Sequence, residues 1–319
     1  MFDPAEPSGE LSAPATPAGD LVRAWIAQQS LLPGVADVVD VTVSTAATTA
    51  LPAIVMAQGP PGRLEHNLAR KGVWAVHPDR HQQAFTLTTE DVQGSLLVEY
   101  SLGQLSVADM RLVAWLLGRW KADEPDIAFT YRGCSAEMGL EWHGGRPKAI
   151  KDQLARINGT RFKGRVFNAT KGDFEEVWFG ILDTASFREK RKKLDGVGEG
   201  TTVRVTLSRF ITENLRANHF TRLDLGQLNR LRTDLAQRLY AYLESQRGFP
   251  REGENVYEIT VDAVLQASLG SGDRPRRFRT KLGLAGEEIV EADARYLAVV
   301  VRPGRARGAW VLSVRRRLG

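Results

Sequence analysis

The chain has 319 residues, 43 Lys and Arg against 38 Asp and Glu for a net charge of +5, and 43% hydrophobic residues, the composition of a packed globular protein rather than a disordered one. A single cysteine, Cys134, excludes an intramolecular disulfide, and no apolar run approaches the roughly 20 residues that cross a bilayer. With no basic segment leading into an apolar core at the N-terminus, the chain reads as cytoplasmic, without a secretory leader or a membrane partner.

Residues 1–60 are rich in Pro, Ala and Ser and hold six acids against one base, Arg23, which predicts a disordered acidic tail. Within it a short helix over Leu21 to Leu32, capped by Asp20, is expected, and Ala36 to Ala57 has no clear period. Gln58-Gly59-Pro60-Pro61-Gly62 predicts a linker. Phe85 to Tyr100 reads as strand, turn and strand, with Gly94-Ser95 as the turn. From Val107 the apolar residues Val107, Met110, Val113, Ala114, Leu117 and Trp120 recur at helical period and mark a core-facing helix. A short segment, Cys134 to Leu140, follows, then a basic helix, Arg146 to Ile157, then two strands, Thr160 to Ala169 and Phe174 to Leu182. The mixed-charge run Arg188 to Lys193 reads as a solvated helix end or loop, and Thr201 to Leu207 alternates as a half-buried strand.

The same order then recurs. A long helix is expected from Leu225 to Gln246, with a stripe of Leu225, Leu228, Leu231, Leu235, Leu239 and Leu243. A short helix over Val261 to Leu269, a basic helix from Asp273 and a hairpin from Tyr296 to Val314 complete it. Helix, helix, basic helix and two-stranded wing is the order of a winged helix-turn-helix. The fold class is therefore α+β, two pseudo-repeated winged-helix domains behind a disordered acidic N-terminal tail. The expected boundaries are 1–60 for the tail, 61–220 and 221–319, the last long enough to fold on its own core.

The basic helices carry the functional reading. In the first, Ile150, Leu154 and Ile157 share the core side, Lys148, Asp152 and Ala155 point outward, and Lys151 and Arg156 flank them. Arg146-Pro147 opens it, with proline where its missing N–H costs nothing. In the second, Asp273 is the expected N-cap, Pro275 lies in the first turn, and Phe278, Leu282, Ala285 and Ile289 form the buried stripe. Arg276 and Thr280 lie opposite, with Arg274, Arg277, Arg279 and Lys281 around them; Gly283 and Gly286 are expected to weaken the helix beyond Leu282. An arginine forms two parallel hydrogen bonds to guanine O6 and N7, so such a cluster suits double-stranded DNA read from the major groove. The wings add phosphate contacts: Arg161, Lys163 and Arg165 share one strand face opposite Phe162 and Val166, and Arg302, Arg305 and Arg307 surround the turn Pro303 to Gly308. Arg315-Arg316-Arg317 stays open between wing, tail and solubilising charge. Twelve bases against four acids from Arg274 to Arg317 agree with an anionic partner.

Late in the long second helix stand Arg238-Leu239-Tyr240 and then Leu243. This patch, with the order of elements from Leu96 to Arg317, resembles the iteron-binding replication initiators of theta-replicating plasmids. The resemblance implies a protein that binds direct repeats at an origin in duplex DNA and recruits host initiator and helicase. It also implies a bacterial, plasmid- or nucleoid-associated setting and a homodimer formed through the N-terminal winged helix. Arg276, Arg277 and Arg279 match the main recognition helix of that family, and Arg146, Lys148 and Lys151 the second. The first sixty residues have no counterpart.

No catalytic signature accompanies this reading. Of His66, His77, His81, His143 and His219, no two are separated by one residue, as the paired metal ligands of a rolling-circle nickase would be. His77 and His81 are four apart with Pro78 between and read as a surface pair. Gly159 to Gly164 is followed by Arg165-Val166, which fails as a P-loop. No catalysis, cofactor or metal is expected. The rival readings are a winged-helix transcriptional or partition regulator and a nicking relaxase or nuclease.

Overall fold

A computed structural model describes residues 61–76, 85–91, 94–188, 201–246 and 254–317. The expectations for residues 1–60, for His77 and His81, and for most of the charged run after Arg188 lie outside them. The first described element is β1 (Pro61–Glu65), so Pro61 and Gly62 open a strand rather than close a linker. Proline is tolerated at a strand's first position. The short helix α1 (His66–Arg70) follows, its first turn capped by the Glu65 carboxylate, which accepts from the Leu68 amide at 3.0 Å.

β2 (Phe85–Asp91) and β3 (Gly94–Tyr100) pair with Asp91 opposite Gly94, so Gly94-Ser95 begins the second strand instead of forming the turn. α2 (Val107–Arg119) starts from a reciprocal capping box between Ser106 and Asp109. The predicted stripe is buried, and so are Leu112, Trp115 and Leu116, because the helix passes through the middle of the core. β4 (Asp126–Thr130) leads into α3 (Tyr131–Glu137), which starts earlier than the apolar pattern suggests because Thr130 Oγ1 caps the Gly133 amide. α4 (Arg146–Gly159), β5 (Thr160–Asn168), β6 (Asp173–Phe179), β7 (Leu182–Arg188), β8 (Thr202–Leu207) and α5 (Arg209–Arg216) complete the first unit.

The second unit follows β9 (Phe220–Asp224) and runs α6 (Leu225–Arg230), α7 (Asp234–Ser245), β10 (Glu254–Thr260), α8 (Ala263–Ser268), α9 (Pro275–Ala292), β11 (Tyr296–Pro303) and β12 (Trp310–Arg317). The single long helix expected from Leu225 is thus two. Leu231 is extended, Thr233 Oγ1 caps the Ala236 amide at 3.2 Å, and the Glu288 carboxylate accepts from the amides of Arg232 (2.9 Å) and Thr233 (3.1 Å). A distant side chain stabilises the break, and the leucine stripe stays buried across it. Conversely, α9 does not end at its glycines. At Gly286 a Cβ would lie 2.2 Å from the Val299 carbonyl, so this residue lets the helix cross β11 at close approach.

The sheets correct the first wing. In the second unit the strand that precedes the short helix of the corner, β10, pairs with the last strand, giving the order β10-β12-β11. In the first unit the strand in that place, β4, pairs with β8, giving β4-β8-β7. The wing of the first unit is therefore β7–β8, and α4 packs on β7 as α9 packs on β11. The strands predicted as wing, β5 and β6, instead extend the β2–β3 hairpin into a second sheet, β2-β3-β5-β6. Period-two alternation identifies a strand and leaves its partner open.

The helix-turn-helix corners match in detail. After α3 the amides of Gly139 and Leu140 donate to Ala136 O and Ser135 O; after α8 those of Gly270 and Ser271 donate to Ala267 O and Gln266 O. Both are Schellman closures, which need a left-handed residue, and Gly139 (φ 64°) and Gly270 (φ 65°) supply it.

One hydrophobic core runs through both units. β1 pairs antiparallel with β9, so the expected boundary at 220/221 falls inside a strand whose partner is Pro61–Glu65. Beyond α1, the Ala75 amide donates to Leu105 O (2.7 Å) and the Val76 amide to Gly270 O (3.1 Å), strapping the entry to α2 against the second unit's corner.

Candidate nucleic-acid interface

Among the described residues α9 presents the richest cationic surface. Phe278, Leu282, Ala285 and Ile289 are buried as the helical period requires, while Arg274, Arg276, Arg277 and Thr280 are exposed and Arg279 and Lys281 are half-buried. The N-cap is Arg274, not Asp273, and makes no side-chain cap, leaving first-turn amides open to an anion. Asp273 instead binds Lys281 Nζ at 2.9 and 2.8 Å and lies 3.5 Å from Arg277 Nε; the Lys281 hydrogen bond holds its carboxyl below the usual carboxylate range. Lys281 and Arg277 are thereby partly neutralised, whereas the Arg274 and Arg276 side chains have no partner among the described residues.

Between α9 and the sheet lies an open groove of about 460 Å³, bounded by Arg276, Thr280, Gly283 and Glu287 on the helix and Val301 and Trp310 on the strands. A Cβ on Gly283 would meet nothing within 4 Å, so that position opens onto the groove. Gly283→Ala is therefore expected to raise stability by about 1 kcal/mol, as in any exposed helix interior, while weakening duplex binding by filling the floor of the groove. Thermal denaturation and a binding titration check both signs; an unchanged affinity would remove the groove floor from the interface.

At the wing tip the Gly304 amide donates to Ala309 O at 2.9 Å, and Arg305 and Arg307 are exposed. Arg302 is ion-paired with Glu258 on β10 and so is committed to the sheet. Of the basic triplet left open above, Arg316 turns inward, 3.2 Å from the buried Glu244.

In the first unit Ile150, Leu154 and Ile157 are buried and Lys148 and Lys151 exposed, as expected. Arg146 donates to Glu141 O at 3.2 and 3.0 Å. Arg156 does not belong to the outward surface: it grips both oxygens of the fully buried Asp109, at 3.2 and 2.8 Å. The sequence signal for this was the acid inside the apolar run of α2, which needs a cationic partner once buried. Arg161, Lys163 and Arg165 share a face, as read, but on the four-stranded sheet. Arg161 bends back onto Asn158 O (2.8 Å) at the C-terminal end of α4, Lys163 lies over Trp178 (4.4 Å) and Arg165 over Phe174 (5.8 Å). Arg146 stands at one end of α4 and Arg161, on β5, bends onto the other, and the two ends are about 20 Å apart at 1.5 Å per residue, so these groups form two patches rather than one.

The two helices are written alike. Arg146-Pro147-Lys148-Ala149-Ile150-Lys151-Asp152-Gln153-Leu154 corresponds to Arg274-Pro275-Arg276-Arg277-Phe278-Arg279-Thr280-Lys281-Leu282, with the same positions buried.

No protein-family model and no curated protein matches the chain. Solved structures do. Domains 2 and 3 of RctB superpose with a TM-score of 0.53 over 79% of this chain and 98% of that one, at 16% identity. A second structure of those domains gives 0.50 over 79% and 96%, at 13% identity. The Pi initiator protein in complex with iteron DNA gives 0.51 over 83% of this chain and all of that one, at 14% identity. The chain has the tandem winged-helix fold of these proteins. The resemblance first read from the order of elements thus holds at the level of fold.

Two half-buried histidines meet beside β1 and β9. The rings of His66 and His219 are 5.0 Å apart beside Glu65, and burial depresses their pKa values to about 3 and 4. Both are therefore neutral near pH 7. Among the described residues no group of three or more His, Cys, Asp or Glu is placed to hold a metal ion, and no helix is long and apolar enough to cross a membrane.

Proposed function

We propose that this chain is a replication initiator that binds direct repeats in duplex DNA at an origin, placing α9 and α4 in successive grooves and recruiting host replication proteins without catalysis of its own. The observation that carries the reading is the pair of equivalent cationic helices, each beside its own wing, on the fold shared with an initiator solved on iteron DNA. α9 dominates sequence reading because it offers Arg276 and Thr280 where α4 offers Lys148 and Asp152. Self-association through the first unit is supported by Trp178, 70% exposed on the sheet-edge strand β6, with the exposed Phe174 further along the same face.

The test is a titration of the full chain against duplexes carrying tandem direct repeats, one palindrome, or scrambled sequence. Tandem repeats are expected to bind tightest. Arg276→Ala is expected to cost about 1–3 kcal/mol on the repeats and much less on scrambled DNA. Preference for the palindrome would make the chain a regulator, and equal losses on both DNAs would reassign Arg276 to phosphate.

A further inference from the structure

Lys151 and Arg279 occupy the same position of the repeated helix pattern, one residue after the buried Ile150 and Phe278. Both are held by an aromatic ring of their own wing. Lys151 Nζ lies 5.3 Å from the centroid of Phe187, next to the end of β7, and Arg279 Cζ lies 4.8 Å from that of Trp310, the first residue of β12. Each ring thus stands at the end of its hairpin nearest the tip, and Trp310 also walls the groove described above.

The way these two cations are held matters. A ring face fixes a cation electrostatically and uses none of its N–H donors. Several other bases of the two units instead donate to carboxylates: Arg156 to Asp109, Lys281 to Asp273, Arg302 to Glu258. Neither Lys151 nor Arg279 has a hydrogen bond or ion pair among the described residues. They are therefore fixed in place with their donors unspent. The two differ in what they then offer. A guanidinium presents a planar fork that matches guanine O6 and N7, whereas an ammonium is a point charge suited to a phosphate.

Resting on the proposed function, we propose that Trp310 and Phe187 are positioning residues. Trp310 aims Arg279 so that it selects guanine, and Phe187 aims Lys151 at the DNA backbone.

The experiment uses the full chain and a duplex that it enriches from a random-sequence pool, beside a scrambled duplex of the same composition. Trp310→Ala is expected to lose about tenfold in affinity for the enriched duplex and little for the scrambled one, with Trp310→Phe restoring most of the loss. Arg279→Lys is expected to fall as far as Arg279→Ala on the enriched duplex, because an ammonium cannot supply the fork. Phe187→Ala is expected to weaken both duplexes alike. Arg279→Lys keeps the charge and the stem and so tests the fork by itself, and where Trp310→Ala fails to fold, Trp310→Leu, which fills the space without a ring face, tests the positioning with the same expected outcome. Retained discrimination in Arg279→Lys, or equal losses on both duplexes in folded Trp310→Ala, overturns this assignment alone. A pool that yields no preferred sequence overturns the proposed function, and this assignment with it.

Discussion

Replacing Arg238 by alanine is expected to destabilise the chain by about 4 kcal/mol. Arg238 is fully buried; its Nη1 donates to Ala69 O at 2.7 Å, and its Nη2 to Lys71 O at 2.9 Å and Ser268 O at 2.7 Å. Ala69 lies in α1, and Ser268 is the last residue of α8, so one guanidinium closes the C-terminal ends of two short helices that have few residues to close themselves. Burial lowers its pKa to about 10, which still leaves it protonated near neutral pH, and a positive charge at a helix C-terminus is favourable. Alanine leaves three carbonyls without this donor, at about 1–3 kcal/mol for each one left buried and unpaired, and opens a cavity besides. Against a total of about 5–15 kcal/mol for an ordinary domain, the variant sits near its folding limit. Urea denaturation measures the difference. A loss below about 1 kcal/mol would show that water takes over the three acceptors.

The fragment 221–319, expressed alone, is expected to give no cooperative unfolding transition, whereas 61–319 unfolds as one unit. The fragment begins inside β9 and lacks β1, the strand that pairs with it. It also lacks Ala69 and Lys71, which satisfy the Arg238 guanidinium, and Val76, whose amide meets Gly270 O. Only the Ser268 acceptor remains to that guanidinium, and a buried charge stripped of most of its partners costs several kcal/mol, close to all that a hundred-residue core supplies. Circular dichroism across a urea series decides it. A transition for the fragment as steep as that of 61–319 would establish the second unit as an independent domain, as length and element order suggest.

What the sequence made legible was local. The buried stripes of α4 and α9, the outward Arg276 and Thr280, and the order of helices all follow from a 3.6-residue period within one segment. What it hid was set by partners far along the chain. β5 and β6 alternate as a wing should, and only pairing with β3 removes them from that role. Arg156 looks like a surface base until Asp109 faces it across the packing of α4 on α2. The leucine stripe from Leu225 to Leu243 reads through a break that Glu288 creates from α9. Gly283 and Gly286 look alike in sequence, yet one opens onto a groove and the other lets a strand approach. Arg238, which carried part of the family resemblance, lies in the seam between the units rather than on any DNA-facing surface.

The shared core has a consequence for target choice. With β1 paired to β9 and one hydrophobic interior behind both, α4 and α9 are mounted like the two jaws of a locked caliper. On a duplex, one inserted base pair turns the far half of a site by about a tenth of a helical turn and moves it along the axis. A hinged reader would follow that shift, but a locked one loses its second grip. Under the proposed function, the gap between the two halves of each repeat is then part of the message, checked as strictly as the bases themselves.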